Sequence, residues 1–566
     1  MEALCLPSVH HQAWKQAERQ AKIASLPHLY STPLSASEEE VHALSISELV
    51  TQCRLGNIQP DAVMTAYAKR AVLAHKKSNC LSDVMFDEAV TTSSLANRGL
   101  EGNSNASFSA ECSLLGVPIS IKDTIDIIGH DSTIGFSRNV GRKPAVSSSI
   151  VCMLLEAGAL IHAKTTVPTG LLSLETVSDI YGRTTNPYNS AFTSGASTGG
   201  GGALVAHGGT KIEIGTDIAG SVRIPAHFCG IWSLKGSSGR FPAWGNQSSM
   251  PGLESIPQVI SPMARNLADL LDFTKRLILA RPWEYDHTCV PLSWRNVDLQ
   301  GEGKKLKWGV MWDDGIIPPT PACKRALSMV AIALREEGHN VVDFDPPNVF
   351  DGLKVGYQLL FSDGGAQLLN FLQPGENISP PTRSILDLLR LPKFVKKIMS
   401  VVRRSSDPLT SQLYEVLHGK TVIEDRSNVT AREIYRHQWH QKWAEEGLDF
   451  IITVPFALPA LENGTSEQTT LLCAGYTFLF SLLDYAVGSV PVTVVDKTLD
   501  DIPSNFINSA EYNSFTSIAK RAWSVYDADK MNGLPLGIQV VGRKLEEEKV
   551  LEGMQIIESV LLKHRV

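Results

Sequence analysis

The segment from Thr193 to Gly230 constrains this chain most, because small residues dominate it without the charge or proline content of a flexible linker. It runs TSGASTGGGGALVAHGGTKIEIGTDIAGSVRIPAHFCG. Glycine permits positive φ angles and close backbone approach, and the serines and threonines supply hydroxyl groups that can serve as nucleophile or proton relay. Neither GxxxxGK[ST] nor GxGxxG occurs there, so a nucleotide-binding loop is not indicated. On composition alone, a structural glycine loop and a catalytic loop fit equally well.

Apolar runs alternate with helical patterns in the rest of the chain. The runs at 116–123 and 159–165 have the continuous apolar character of buried strands, and SSIVCMLLEAGA between them has the helical period and a glycine stop. The same order recurs at 305–312, 324–337 and 340–345. A repeated strand, helix, strand order predicts an α/β fold.

The domain organisation follows from the absence of a low-complexity break. We expect a helical wrapping region at 1–55 and a single domain at 56–566. Within that domain, the chemical motifs occupy about 116–270, and a helical insertion occupies about 350–445.

Charge and cysteine usage exclude several classes of function. A formal charge of −7 with mixed signs offers no cationic face for nucleic acid. Nine scattered Cys without a CxxC pair suggest neither a disulfide framework nor a zinc ribbon, which favours a reducing, cytoplasmic location. The first 22 residues lack the continuous apolar stretch of a secretory signal. The apolar run at 471–495 contains Asp484, Gly488 and Pro491, so it predicts a buried helix followed by a strand and not a membrane span.

Several motifs in fixed order resemble the amidase signature family. They are GVPISIKDTIDIIGHDSTIG from 116, GASTGG at 195–200, GTDIAGSVRIP at 215–225, FCGIWSLK at 228–235, SPMARNLADL, DFIITVPFALPAL and NGLPLGIQVVG. Together they cover roughly 60–550. SNCLSDVMFDEA at 78–89 and GIQVVGRKLEEEKVL are most similar to fungal acetamidase-like members.

The resemblance implies an amidase signature fold, with a large central mixed twisted β-sheet flanked by helices. It also implies a triad that matches Lys122, Ser197 and Ser221, with a cis peptide between Ala196 and Ser197 and no metal or organic cofactor. The oxyanion-binding amides implied by the family are those of Ile218, Ala219, Gly220 and Ser221. Implied supporting residues are Thr198, whose hydroxyl can bond Lys122, and Asp217 with Arg223, which can pair and orient the loop.

The triad makes a physical demand on Lys122. A serine hydroxyl is a weak nucleophile at neutral pH and needs a nearby base, whereas lysine in water is protonated. Burial disfavours the charged form, so Lys122 can act as the base only if the fold desolvates it. Its place after the apolar run GVPISI predicts burial at a strand end.

Three positions depart from the usual family pattern. Ala196 and Ala219 replace glycines, and Thr198 replaces a serine, so the added methyl groups can narrow the pocket or shift the amides. LKGSSGR also departs from the family's LKPTxGR.

Other candidate sites have simpler explanations. Glu433, His437 and His440 have helical spacing that suits a metal, but their polar neighbours favour a solvated helix face. Cys229 has apolar neighbours, which favour an inert buried thiol. The segment SILDLLRLPKFVKKIMSVVRR at 384–404 combines apolar and basic residues. It suits contact with an anionic membrane or a cap over an acyl-binding channel, although a helix packed on the core is favoured.

The predicted activity is hydrolysis of a carbon–nitrogen amide bond through an acyl-serine intermediate. The predicted substrate is a small aliphatic or aryl amide, and a homodimer is compatible with the sequence. The alternatives are a fatty-acid-amide-type hydrolase, a secondary-metabolite amidase, the glutaminase subunit of an amidotransferase, or a catalytically silent amide-binding protein.

Overall fold

The computed structural model describes residues 7–101, 113–299, 301–469 and 471–564. Its α-helices are numbered in chain order: α1 Pro7–Ala24, α2 Ala36–Ala43, α3 Ile46–Arg54, α4 Pro60–Ser78, α5 Phe86–Glu101, α6 Ser149–Glu156, α7 Gly199–Ala206, α8 Arg223–Cys229, α9 Leu267–Leu279, α10 Pro321–Glu336, α11 Val349–Leu360, α12 Ala366–Phe371, α13 Pro380–Arg390, α14 Lys393–Arg403, α15 Pro408–Val416, α16 Val422–Glu446, α17 Gly475–Leu482, α18 Ala510–Ser514, α19 Ser517–Trp523 and α20 Glu547–Lys563.

Most strands belong to one mixed sheet. The strands are β1 Leu81–Val84, β2 Pro118–Lys122, β3 Leu160–Thr165, β4 Val177–Ser178, β5 Gly182–Arg183, β6 Ile212–Asp217, β7 Trp232–Lys235, β8 Val259–Ala264, β9 Lys307–Val310, β10 Asn340–Asp343, β11 Phe450–Thr453, β12 Val487–Val494 and β13 Pro535–Val541. Eleven of them form the order β1-β3-β2-β6-β8-β7-β12-β13-β11-β9-β10, and β4 pairs with β5. The sheet contains both parallel and antiparallel pairs. Strand β2 lies parallel to β3 and β6, whereas β8 lies antiparallel to β6 and β7.

The predicted α/β fold is therefore confirmed, with both strand–helix–strand units in place. The first is β2, α6 and β3, and the second is β9, α10 and β10. Both β2 and β3 are buried along their whole length, as expected for central strands covered on both faces. The apolar run at 471–495 forms α17 and β12, as predicted. Within the described ranges, no helix combines the length and apolar character required to cross a membrane.

Helix α7 lies against the sheet with almost no side chains between them. A Cβ added to Gly200 would lie 2.4 Å from the amide nitrogen of Thr166, and one added to Gly201 would lie 2.4 Å from the carboxyl carbon of Glu213. Such separations are far below van der Waals contact, so these positions require glycine. The glycine run of the sequence thus brings the start of α7 directly onto β2, β3 and β6.

Helix α1 contacts the sheet at β1, and a further group of helices occupies the 349–446 region. In α1, Arg19 donates hydrogen bonds to the carbonyl oxygens of Leu81 and Tyr181, and Lys15 forms an ion pair of 2.9 Å with Asp131. Helices α11 to α16 follow one another between Val349 and Glu446. The boundaries at 55 and 350–445 stay a proposal about domain organisation.

The cysteines of the described ranges form no disulfides. This holds for Cys53, Cys80, Cys152, Cys229, Cys289, Cys323 and Cys473. Cys5 and Cys112 lie outside the described residues.

Candidate active site

Three segments bring the predicted triad to one cavity beside the sheet. Lys122 is the last residue of β2, Ser197 precedes α7, and Ser221 lies in the loop between β6 and α8. Ser197 and Ser221 both line a cavity of about 50 Å³. Lys122 is fully buried behind it, as the sequence predicted.

The Lys122 ammonium group has three hydrogen-bond partners. Its Nζ lies 2.9 Å from Ser197 Oγ, 3.1 Å from the carbonyl oxygen of Thr216 and 3.0 Å from Thr216 Oγ1. Three acceptors match the three N–H groups of a protonated lysine. The contact with Ser197 is the one that the family resemblance implies.

Burial lowers the pKa of Lys122 from 10.5 to about 7. The carboxyl groups of Asp217, Glu213 and Asp123 oppose this shift, because negative charge favours the ammonium form. A lysine with a pKa near neutrality is partly deprotonated under ordinary conditions, which a general base requires.

The loop before α7 contains the expected cis peptide between Ala196 and Ser197. Next to it, the backbone N–H of Thr198 donates to the carbonyl oxygen of Ser221 at 3.0 Å, which connects the two serine loops. The expected bond between the Thr198 hydroxyl and Lys122 is not formed. Thr198 Oγ1 is buried without a hydrogen-bond partner in the described structure, and Thr216 takes its place beside the lysine.

The predicted oxyanion loop surrounds the cavity, but one of its amides is already used. Ile218, Ala219, Gly220 and Ser221 all line the cavity. The N–H of Gly220, however, donates to Asp217 Oδ1 at 2.8 Å. The turn directs the Gly220 N–H toward Asp217, and the oxyanion-binding role of the four amides stays a prediction.

Asp217 and Arg223 form a fully buried, bidentate ion pair. Arg223 Nη2 lies 2.9 Å from Asp217 Oδ1, and Nε lies 3.1 Å from Oδ2. Arg223 also donates to Ser481 Oγ at 2.8 Å, and Asp217 accepts the N–H of Val222 at 3.1 Å. The guanidinium lowers the pKa of Asp217 to about 2 despite burial. The pair holds both ends of the 217–223 loop, as expected, and the surface-pair alternative is wrong.

Sequence reasoning missed three residues beside this loop. Thr216 contacts the lysine, and Thr477 Oγ1 donates to the carbonyl oxygen of Ala219 at 2.7 Å. Glu213 is buried on β6, the strand that leads into the loop. Glu213 could have been noticed in the sequence, because it is the one acidic residue in the otherwise uncharged stretch IEIGT. Thr477 could not, because its role depends on a contact with Ala219, 258 residues away.

The other candidate sites have structural roles. Glu433 forms ion pairs with Arg432 and Arg436, and His437 and His440 are exposed on α16. No cluster of three or more His, Cys, Asp or Glu in the described ranges can hold a metal ion. Cys229 is fully buried, and burial raises the pKa of its thiol, so it is unreactive.

The segment at 384–404 matches the favoured prediction in α13, where Leu386 and Leu389 are buried in the core, and differs from it in α14. Phe394, Ile398 and Val402 of α14 are 69%, 61% and 72% exposed, whereas Lys396 is buried and donates to the carbonyl oxygen of Leu417 at 2.7 Å. The apolar face of this helix therefore points outward and does not pack on the core.

Comparison with known proteins identifies the family of this chain. The family model Amidase matches residues 62–551. Amidase 1 of Gibberella moniliformis is 31% identical over 553 residues, covering 97% of this chain and 98% of that protein. Acetamidase of Aspergillus oryzae is 30% identical over 535 residues, covering 93% of this chain and 91% of that protein. The solved structure of a fatty acid amide hydrolase superposes with a TM-score of 0.82 at 24% identity, covering 98% of this chain and 95% of that chain. This chain therefore belongs to the amidase family and is a hydrolase of amide carbon–nitrogen bonds.

Proposed function

We propose that Ser221 is the nucleophile, Ser197 the proton relay and Lys122 the general base of this amidase. The observation that carries the proposal is the hydrogen-bonding environment of Lys122. A neutral amine has two N–H groups and one lone pair. With its N–H groups directed to the two oxygens of Thr216, its lone pair faces Ser197 Oγ. Both protonation states therefore fit without rearrangement, and a proton can move from Ser197 to the lysine.

The proposed reaction requires transfer of the Ser221 proton and stabilisation of the negative charge that develops on the carbonyl oxygen. As Ser221 attacks the amide carbon, its proton passes through Ser197 to Lys122. The backbone N–H groups of Ile218, Ala219 and Ser221 face no internal acceptor within the described residues and are available to the oxyanion. Return of the proton to the nitrogen releases ammonia or an amine, and water hydrolyses the acyl-Ser221 ester. The scheme uses no cofactor.

The small cavity favours a small acyl group. About 50 Å³ remains around Ser221, and apolar side chains such as Leu172, Ile218 and Met250 line it. A short aliphatic or aryl amide fits such a space better than a long chain. Similarity to fungal acetamidase supports the same substrate class.

A second candidate substrate class is a long-chain acyl amide. A separate cavity of about 590 Å³ has apolar lining from α13, α14 and α15, including Leu388, Met399 and Leu413. Leu472 lines this larger cavity and Ala474 lines the small one, so both cavities border the turn at Leu471–Ala474. A long acyl chain bound at Ser221 would require a passage past this turn.

Intact-mass analysis after fluorophosphonate treatment tests the nucleophile. We expect one adduct on the wild type and none on Ser221→Ala, with both proteins folded by circular dichroism. Ser249→Ala is the matched control, because Ser249 lines the same cavity and its loss should leave the adduct in place. An adduct on Ser221→Ala would overturn the assignment of the nucleophile.

Ammonia release from a panel of amides tests the activity and the substrate. Acetamide and benzamide should be hydrolysed faster than long-chain acyl amides if the small cavity sets the specificity, and the reverse order would favour the second candidate. A folded wild type without adduct or ammonia would favour the amide-binding alternative. Activity only after addition of partner subunits would favour the amidotransferase alternative.

Membrane contact through α14 is a further proposal about partners. The exposed apolar residues Phe394, Ile398 and Val402 lie on the same helix as Lys393 and Lys397, a combination suited to an anionic bilayer. Flotation with anionic and with neutral liposomes tests it, and failure to float with either would refute it. The described cysteines, which form no disulfide with one another, support a cytoplasmic location as the compartment we propose.

A further inference from the structure

Glu213 is a carboxylic acid buried one strand away from Lys122. It lies on β6 opposite Ser120 of β2, and Ser120 shares a strand face with Lys122 two residues later. The Glu213 side chain is fully inaccessible to solvent. Helix α7 covers it at Gly201, where an added Cβ would overlap the carboxyl group.

Two hydroxyl groups hold the Glu213 carboxylate. Ser120 Oγ donates to Oε2, and Thr165 Oγ1 donates to Oε1 at 2.6 Å. Burial raises the pKa of Glu213 to about 7, and the two hydroxyl donors and Lys122 oppose that shift. Cys80 also faces this carboxyl group, but burial raises the pKa of its thiol, so it stays neutral.

The carboxyl groups near Lys122 differ in whether they have a second cation as a partner. Three carboxyl groups face it, those of Asp123, Glu213 and Asp217. Asp217 has its own cation in Arg223. Asp123 has its own cation in Lys164. Among the described residues, the Glu213 carboxyl group faces no cation except Lys122.

We propose that Glu213 is a positioning residue that sets the proton affinity of Lys122. Its negative charge stabilises the ammonium form of the lysine, because opposite charges at close range in a buried site favour ionisation of both groups. The acid limb of the pH profile is the range in which activity rises as Lys122 loses its proton. This limb therefore lies at higher pH than it would with a neutral residue at position 213. This inference rests on the proposed function, since it acts through the same base.

The variant Glu213→Gln tests this inference through the pH profile of kcat/KM. Glutamine keeps the size and an amide that can bond both hydroxyl groups, but it removes the charge. We expect the acid limb to move to lower pH by about one unit. When kcat/KM of each protein is divided by its own plateau value, the variant should be about tenfold more active than the wild type at a pH well below both acid limbs. A limb that coincides with that of the wild type would overturn the proposal.

Ser120→Ala provides an independent variant if Glu213→Gln does not fold. Loss of one hydroxyl donor disfavours the ionised carboxylate, so the limb should move in the same direction by a smaller amount. Movement to higher pH would contradict the proposal. Glu547→Gln is the matched control, because Glu547 is also fully buried but faces Arg240 and Lys235 and not Lys122. The acid limb of the Glu547→Gln profile should coincide with that of the wild type. A shift equal to that of Glu213→Gln would refute a local effect of Glu213.

Lys122→Ala distinguishes failure of this inference from failure of the proposed function. If Lys122→Ala keeps the wild-type rate and limb, the base is misassigned and both proposals fall. If Lys122→Ala is inactive and Glu213→Gln has an unshifted limb, only the role of Glu213 falls.

Discussion

Replacement of Lys122 by methionine is expected to abolish hydrolysis and to stabilise the folded protein at low pH. The fold places an ionisable group where its charged form is disfavoured, as the fall of the Lys122 pKa from 10.5 to about 7 indicates. Methionine has a similar length and no charge, so it removes this cost. The variant therefore separates the catalytic need for the lysine from its effect on stability.

The size of the effect follows from the pKa shift and the lost hydrogen bonds. The difference between 10.5 and about 7, at about 1.4 kcal/mol per pKa unit, corresponds to a cost of about 5 kcal/mol below pH 7. The substitution also removes the three hydrogen bonds of Nζ, each with a net contribution of about 1 kcal/mol. At pH 6 the variant should thus be more stable than the wild type by about 2 kcal/mol.

The sign of the effect should change with pH. In the unfolded chain the lysine binds its proton up to about pH 10.5, whereas in the folded chain it releases the proton near pH 7. Between these values, the wild type gains stability as pH rises, and at pH 9 only about 2 kcal/mol of the cost remains. The variant should then be less stable than the wild type by about 1 kcal/mol, because the lost hydrogen bonds outweigh the remaining cost.

Urea unfolding at pH 6 and pH 9 measures this reversal. A difference between the two proteins that is equal at both pH values would refute a strongly lowered pKa for Lys122. Lys235→Met is the matched control, because Lys235 is also fully buried, has a pKa lowered to about 8, and donates to the carbonyl oxygens of Gly236 and Tyr485. It should show the same direction of pH dependence and keep the fluorophosphonate adduct.

Three further substitutions test the loops. Gly220→Ala should abolish activity, because φ is +120° there and the new Cβ would lie 2.2 Å from Thr477 Oγ1; wild-type ammonia release would contradict this. Arg223→Met should lower the free energy of unfolding by about 3–5 kcal/mol, since it leaves Asp217 buried without its cation, and urea unfolding should detect the loss at neutral pH. Thr216→Val should lower kcat/KM by about tenfold through loss of a hydrogen bond worth about 1.4 kcal/mol, and an unchanged value would exclude a role for that hydroxyl.

The parts of the fold and site that could be predicted are those that depend on local pattern. The continuous apolar run before Lys122 indicated a central strand and a buried strand end, and both are present. The ordered motifs that resemble the amidase signature family implied one site for Ser197 and Ser221, and both serines line one cavity. Such features need only the neighbours in sequence and the motif order.

Features that depend on register or on distant contacts could not be predicted. The family resemblance implied Thr198 as a hydroxyl partner of Lys122, because Thr198 stands where the family often has a serine. The actual partner, Thr216, is 94 residues from the lysine and reaches it only through the pairing of β2 with β6. The direction of the Gly220 amide likewise depends on the turn that closes onto Asp217.

The orientation of α14 shows a related limit of sequence patterns. Its apolar and basic residues repeat with helical spacing, and that period predicts a helix with two different faces. The pattern does not say which face is covered. Here the neighbouring carbonyl oxygens of Leu389 and Leu417 bind Lys396 on the inside, which turns Phe394 and Val402 outward.

The pairing of charges around Lys122 determines whether this lysine can act as a base. A buried lysine becomes a base only where desolvation outweighs the attraction of nearby carboxylates. The fold meets this condition by pairing Asp217 with Arg223 on the same loop and by placing Lys164 of β3 near Asp123. The remaining negative charge comes from Glu213, whose ionisation is itself disfavoured by burial. Under the proposed mechanism, the pH at which this amidase becomes active is therefore set by the whole β2, β3 and β6 layer, and substitutions behind the cavity should move it without touching substrate.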